Sequence, residues 1–398
     1  MKIAWVTRSF LDYRIPVFKE LDALVEGGLN LLYAGDYVPQ SVQKKAARVL
    51  GPRAMPLTGE WRIGREDRDF LANRNVSLRI HPGVFGRIRG LKPDVMVCDG
   101  FFKWTVPALL HRIQSGTPLV ICYERWAHTE RLSQWYRKLY RKMVIRFADA
   151  MCCNGSLSAA YANQLGMPSN RITRGQMAAD TDGLAAARER IPAAETSALK
   201  EKLGLCGTIL LYVGRLVQLK GLDRLMDAWA RLEPNLAKKS GLLIAGDGPE
   251  RGALERQCRD LGLVNVVFVG AVAHDRIAAY YATADAFVIP TLEDNWSLVV
   301  PEAMACGLPV LCSKYNGCWP ELVREGENGW VFDPVDSRDF VRTLQAAVDA
   351  GDRLREMGKC SREIVAAHSP GNAAEAIISA CRIAVSAKQN RRRNIPCG

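Results

Sequence analysis

Short apolar runs alternate with amphipathic helical periods along nearly the whole of this chain, and that alternation restricts its fold more than any other feature. Strands are expected at 3–6, 29–33, 95–97, 119–122 and 150–153, then at 209–213, 241–245, 266–269, 286–289 and 310–312. Helical periods lie between them, such as 222–232 and 250–260. Strands that alternate with helices pair in parallel, with the helices covering the sheet. At 398 residues, 48% of them apolar, the chain has room for two such α/β domains, each with its own core. The Ala-, Arg- and Glu-rich stretch 184–202, which holds Pro192, marks their connection, giving domains of 1–188 and 189–369. Past the break at Pro370-Gly371, residues 370–387 read as a helix returning to the first domain. Residues 388–398 read as a disordered basic tail.

Composition narrows the functional classes. The twelve cysteines include no C-x-x-C pair and no His/Cys cluster at zinc spacing, which suits reduced, buried thiols in a cytoplasmic protein. The N-terminal MKIAWV reads as a buried strand rather than a leader, and no apolar run approaches the roughly 20 residues that span a bilayer. A secreted or transmembrane protein is therefore not expected. The formal charge is +12, and residues 1–190 carry all of it, with 29 Lys and Arg against 17 Asp and Glu. That asymmetry implies that the first half faces something anionic: a membrane leaflet, a phosphorylated acceptor or nucleic acid.

The chemistry concentrates at 291–309, TLEDNWSLVVPEAMACGLP. Asp294 and Glu302 stand eight residues apart around a loop-to-helix junction that also carries Glu293, Asn295, Trp296, Ser297 and Leu298. A helix starting there turns free N–H groups toward an anion, while the carboxylates suit hydroxyls. A ligand that is part phosphate and part polyol, such as a nucleotide sugar, fits that combination. Upstream, Gly214-Arg215 closes a strand, and Lys220-Gly221 opens the next helix. The two cations can converge on a diphosphate, although solvated loop cations would look the same in sequence. Gly246-Asp247-Gly248 is a poor dinucleotide fingerprint and reads as close packing. At Gly270-Ala271 a further strand end could offer backbone groups to a nucleobase.

Taken in order, these motifs resemble a family. Gly214-Arg215, Lys220-Gly221, the Gly246–Glu250 turn, Val269-Gly270, Pro301-Glu302-Ala303-Met304-Ala305-Cys306-Gly307-Leu308-Pro309, Asn316-Gly317 and Pro320-Glu321 look like the retaining glycosyltransferases of family 4. The resemblance is specific over roughly residues 205–345 and weaker before them, where 170–182 takes the place of the family's Asn-Gly-Val-Asp turn. It implies the GT-B architecture, two Rossmann-like doubly wound domains facing across a cleft. It implies further that Arg215 and Lys220 neutralise the donor diphosphate, with no metal and no cofactor, the nucleotide sugar being a substrate. Glu302 would bind ribose hydroxyls. Asp294 stands where the family usually has Glu at the transferred sugar, with Glu293 an alternative one residue away. Asn295-Trp296-Ser297 replaces the usual Gly-Phe-Gly and alters the pocket wall.

The first half departs further from the family. Thr7 to Arg14 reads TRSFLDYR, with no glycine where the family often has a glycine-rich loop, and the resemblance implies that Arg8, Asp12, Tyr13 and Arg14 occupy the lip of the cleft on the acceptor side. Glu124 falls near the family's usual histidine, and His128 follows four residues later. Both are candidates to orient an acceptor hydroxyl, although a salt-bridge network of Glu124, Arg125, Glu130 and Arg131 is an equal reading. From Arg131 to Arg146 basic and aromatic residues recur, leaving Leu139 and Val144 for the core. This suits a helix on anionic lipid, supported by Arg62, Arg65, Arg68, Arg74, Arg79, Arg87 and Arg89. Asp67-Arg68-Asp69 and Asp180-Thr181-Asp182 match a D-x-D metal pattern without the preceding strand and read as surface or linker chemistry.

The expectation is a retaining, metal-independent glycosyltransferase, peripheral on the inner face of the cell membrane, acting in bacterial surface polysaccharide assembly. Its donor would be a nucleotide sugar, UDP-linked rather than GDP-linked by preference, and its acceptor a glycan or lipid-linked glycan. A silent GT-B subunit that supports a partner enzyme is the alternative. Nucleic-acid binding is not expected, because no motif for it accompanies the charge.

Overall fold

All ten apolar runs form strands. The computed structural model describes residues 1–63, 78–273 and 275–393, and the chain divides into two compact units. The first comprises Met1–Ala178 and Pro370–Gly398, the second Ala179–Ser369.

In the first unit the strands are β1 (Ile3–Val6), β2 (Leu29–Ala34), β3 (Ala54–Leu57), β4 (Trp61–Ile63), β5 (Leu78–Ile80), β6 (Val95–Asp99), β7 (Leu119–Tyr123), β8 (Ala150–Cys153) and β9 (Ile172–Arg174). Seven of them form a parallel sheet in the order β3-β2-β1-β6-β7-β8-β9, and β4 and β5 pair separately and antiparallel. Side chains alternate across a strand, so a strand buried on both faces feeds two cores. Ile3, Trp5, Leu29, Leu31 and Val97 pack under the helix Arg14–Leu24 and the C-terminal helix Pro370–Arg393. Ala4, Val6, Met96, Ile121 and Met151 pack under the opposite layer, which contributes Val84, Ile88, Leu109, Val144 and Ile145.

Several expectations are corrected here. Helix Pro370–Arg393 begins at the expected break and runs on through 388–393, so that part of the basic tail is helical rather than disordered. The pieces at 184–202 are two helices, Thr181–Glu189 and Ala193–Lys202, and both belong to the second unit. Leu184 is buried there, because helix Thr181–Glu189 packs on Val299–Ala305 and Ile277–Thr283. On helix Trp135–Phe147 the core takes Arg141, Val144 and Ile145, whereas Leu139 is 60% exposed. Arg65, Arg68, Arg74 and the Asp67-Arg68-Asp69 pattern lie outside the described residues, as do the side chains of Arg62 and Arg79.

The second unit holds β10 (Thr208–Val213), β11 (Ser240–Ala245), β12 (Val266–Gly270), β13 (Ala286–Ile289), β14 (Val310–Ser313) and β15 (Gly329–Phe332). They form a parallel sheet in the order β12-β11-β10-β13-β14-β15. Chain order runs outward from β10 to β12, then reverses to the other side of β10. This reversal opens a crevice beyond the carboxyl ends of β10 and β13. Beside it the loops after β10 and β11 are pressed together. Leu216 N–H donates to Asp247 O at 3.0 Å, and Glu250 N–H donates to Leu216 O at 3.1 Å. A Cβ on Gly246 would lie 1.8 Å from Gly214 O, and one on Gly248 2.3 Å from Leu216 O. The glycines of this turn are thus packing residues, as their sequence context suggests.

Gly246→Ala should accordingly cost roughly 2–4 kcal/mol, since two backbones must separate to admit the methyl group. Gly252→Ala, in helix Arg251–Asp260, has its nearest neighbour at the end of a flexible arginine 3.6 Å away. It should be neutral or stabilising by up to about 1 kcal/mol. Urea unfolding of both variants decides the matter, and equal costs would contradict the close-packing account.

Candidate active site

The crevice of the second unit is built by two loops that the β10–β13 pairing brings side by side, with Leu210 opposite Ala286 and Leu211 opposite Phe287. A 3-10 turn, Gln218–Lys220, ends at Gly221, whose φ of +65° is left-handed. A Cβ there would meet Pro290 O at 2.3 Å, so only glycine lets the first loop lie on the second. Leu292 N–H and Thr291 Oγ1 both donate to Leu219 O, at 2.8 and 2.9 Å. These bonds set the position of Lys220, whose Nζ lies 2.5 Å from Asp294 Oδ2.

Asp294 is the focus of the site. Ser297 Oγ donates to its Oδ2 at 2.5 Å, and Trp296 N–H donates to Oδ1 at 3.1 Å. Its backbone bridges the loop after β14: Asp294 N–H donates to Tyr315 O, and Gly317 N–H donates to Asp294 O. Asn316, fully buried in that loop, accepts from Ser297 N–H through Oδ1. Between the two adjacent acids, then, Asp294 is the one paired with Lys220. Glu293 is buried, and its carbonyl accepts from Thr291 Oγ1. Asn295 is half-buried, Trp296 is buried, and the Trp296 ring lies tilted 6.3 Å from His368.

Glu302 lies in the short helix Val299–Ala305, where its N–H donates to Leu298 O and Pro301 occupies the first turn. Its Oε2 accepts from Tyr281 Oη at 3.0 Å. Burial holds the Tyr281 phenol protonated well above its ordinary range, and the Glu302 carboxylate adds to the effect. The phenol therefore stays a donor and aims Glu302, a role that nothing in the linear sequence marked. Arg215 is exposed and makes no ion pair among the described residues, and its carbonyl accepts from Tyr212 Oη. A Cβ on Gly214 would meet that same hydroxyl at 2.8 Å. Gly270 has a φ of +77° and accepts from Gly246 N–H at 2.8 Å, while Ala271 is exposed. The Asp180-Thr181-Asp182 pattern is a helix cap, with Asp180 accepting from Gly183 N–H.

In the first unit, Arg14 is buried rather than set at a lip. It donates to Gln176 O and Oε1 at 2.9 and 3.2 Å, and it lies 3.8 Å from Asp99, which also accepts from Trp5 Nε1. Burial by itself would lower the Arg14 pKa, but Asp99 and Tyr13 beside it leave it raised. Tyr13 is raised by burial, with Arg14 opposing and Glu124 and Asp99 adding. Tyr13, Arg14, Asp99 and Glu124 thus gather at the carboxyl ends of β1, β6 and β7. Arg8 instead pairs with Glu60 at 3.2 Å and covers the Tyr37 ring. The expected salt-bridge network gains a further member, Arg141. Glu130 binds Arg141 through both oxygens and Arg125 at 3.1 Å, while Arg131 donates to the His128 carbonyl. His128 stacks on Trp126 with the ring centroids 5.2 Å apart.

Comparison with known proteins places the chain in a family. The family described as Glycosyl transferases group 1 matches residues 197–364, and the Glycosyl transferase 4-like domain matches 24–174. The chain is 30% identical to the sulfoquinovosyl transferase SQD2 of Arabidopsis thaliana over 331 residues, 80% of this chain and 60% of the relative. It is 31% identical to a D-inositol 3-phosphate glycosyltransferase 2 of Catenulispora acidiphila over 229 residues, 54% of this chain and 52% of the relative. The chain thus spans little more than half the length of these relatives. Among solved structures, Anabaena Alr3699/HepE in complex with UDP aligns with a TM-score of 0.74 at 18% identity, covering 96% of this chain and all of that one. The lipopolysaccharide-biosynthesis glycosyltransferase WaaG aligns with a TM-score of 0.63 at 17% identity, covering 96% and 99%. The chain belongs to the GT-B glycosyltransferases of the group 1, family 4-like kind, and its two units are the two Rossmann-like domains of that fold.

A double-mutant cycle measures the pair at the centre of the site. Lys220→Met and Asp294→Asn, alone and together, should give a coupling of about 1 kcal/mol in urea unfolding, because both groups are mostly shielded from water. Strict additivity would mean that the ion pair does not hold the two loops together.

Proposed function

We propose that this chain transfers a sugar, with retention, from a nucleotide sugar to a glycan or lipid-linked glycan acceptor in bacterial surface polysaccharide assembly. The observation that carries the reading is the meeting of Lys220, Asp294 and Ser297 at the reversal point of the second sheet, with Glu302 a short helix away. A cation there matches a diphosphate, and its contacts strengthen as charge builds on the departing phosphate. Arg215, exposed on the same loop, supplies a second positive charge. Glu302, aimed by Tyr281, suits a pair of vicinal hydroxyls such as those of ribose. Asp294 neutralises Lys220 until the donor enters, then turns its carboxylate to the sugar. No protein base or metal is assigned a step, because the leaving phosphate can take the acceptor proton. Tyr13 and Glu124, at the strand ends of the first unit, are the groups proposed to receive the acceptor. A UDP-linked donor is favoured, since the structural neighbour of similar fold was crystallised with UDP and with UDP-glucose.

A panel of UDP-, GDP-, ADP- and dTDP-sugars tests the proposal by thermal shift and by slow donor hydrolysis. One UDP-sugar should stabilise the protein. Glu302→Ala should abolish the shift, and Lys220→Met should lower turnover by about a hundredfold or more. A folded protein that answers to no donor would be a silent GT-B subunit instead.

A further inference from the structure

Helix Trp135–Phe147 turns an apolar stripe outward. Trp135, Leu139, Met143 and Phe147 recur every four residues, which places them on one helical face, and Trp135 is 75% exposed; Leu132, in the turn just before the helix, is exposed as well. The neighbouring helix Thr105–Ser115 repeats the arrangement with Val106, Leu110 and Ile113 exposed. Both helices cover the same core, through Ala108 and Leu109 on one and Val144 and Ile145 on the other, so their outer faces form one platform. Solvated proteins rarely leave so much apolar side chain in contiguous exposure without an occupant.

Charge identifies the occupant. Lys138, Lys142 and Arg146, again four residues apart, line the edge of the stripe, are exposed and carry no ion pair among the described residues. Together with the helix Gly83–Leu91, which adds Arg87 and Arg89, these three helices contain no Asp or Glu. The buried basic side chain of helix Trp135–Phe147, Arg141, is held by buried Glu130, which ties the opposite face of the helix to the core and leaves its stripe outward. A protein partner would meet unpaired cations that call for carboxylates in register. A layer of anionic headgroups over hydrocarbon satisfies the cations and the apolar row together, without specific geometry. No described helix is long and apolar enough to cross a membrane, so the contact is one of lying on the surface.

We infer that the paired helices Thr105–Ser115 and Trp135–Phe147 form a bilayer-docking face, which seats its apolar rows among the acyl chains of an anionic leaflet and its lysines on the headgroups. This does not rest on the proposed transferase activity. The test is co-sedimentation of the full chain, without donor, with vesicles of phosphatidylcholine containing 30% phosphatidylglycerol, about the anionic share of a charged leaflet. Binding should be strong, fall steeply with salt, and be weak to pure phosphatidylcholine. Trp135→Ser with Leu139→Ser should weaken it by about tenfold or more. Lys138→Gln with Lys142→Gln should weaken it by roughly fivefold per charge removed. Exposed positions should leave the melting temperature unchanged, and Leu110→Ser with Ile113→Ser provides a second apolar pair on the other helix. Absence of binding by the folded wild type would overturn the inference. So would undiminished binding by both apolar pairs, or an oligomer in sedimentation velocity that the Ser variants disperse while vesicle binding persists.

Discussion

The parallel pairing of β10 with β13 is the constraint on which the site depends. A strand that leaves β10 to one side, while the chain later returns to the other, leaves two loop ends with no helix between them. Gly221 lets those loops touch, Leu219 O accepts two hydrogen bonds from the second loop, and Lys220 then meets Asp294. The next ladder, β13 with β14, brings Asn316 and Gly317 against the backbone of Asp294 and Ser297. Three neighbouring strand ends thus contribute to one polar centre, although Lys220 and Asp294 are 74 positions apart in the chain and Asn316 lies further on still.

The first unit uses the same reversal for a different purpose. Its β1 and β6 are joined through Trp5 and Asp99, and Arg14 lies beside them with its guanidinium held by Gln176. A buried guanidinium with fixed partners is costly to break and slow to rearrange, which suits a rigid floor rather than a mobile contact. Other cations of this unit are taken up in the same manner: Arg8 by Glu60, Arg112 by Asp149, and Arg141 by Glu130. The positive excess of this half is therefore not spread evenly. Internal pairs absorb part of it, and unpaired lysines concentrate beside an apolar helical row.

The strands were legible because double-sided burial writes an unbroken apolar run, and a parallel sheet permits little else. Besides the short antiparallel pair β4 and β5, the strands that escaped notice are β3, β9 and β15. All three lie at sheet edges, where one side is open and Pro56, Thr173 or Gly329 interrupts the pattern. Helix Trp135–Phe147 misled for a related reason. Its apolar residues predict a buried face by periodicity alone, yet two apolar faces compete there, and only packing against the sheet decides that Val144 and Ile145 go inward while Leu139 stays out.

The sequence by itself determined the α/β class, the two-domain plan, the glycine turns and the residues able to carry the chemistry, because each is recorded in local spacing and residue type. Only the tertiary structure decided which of those residues meet. Asp294 rather than its neighbour Glu293 faces Lys220, Tyr281 aims Glu302, and Arg14 withdraws into a buried pair. The physical reason is that hydrogen bonds and ion pairs act over about 3 Å in space. Separation along the chain says nothing about that distance until strand order has been fixed.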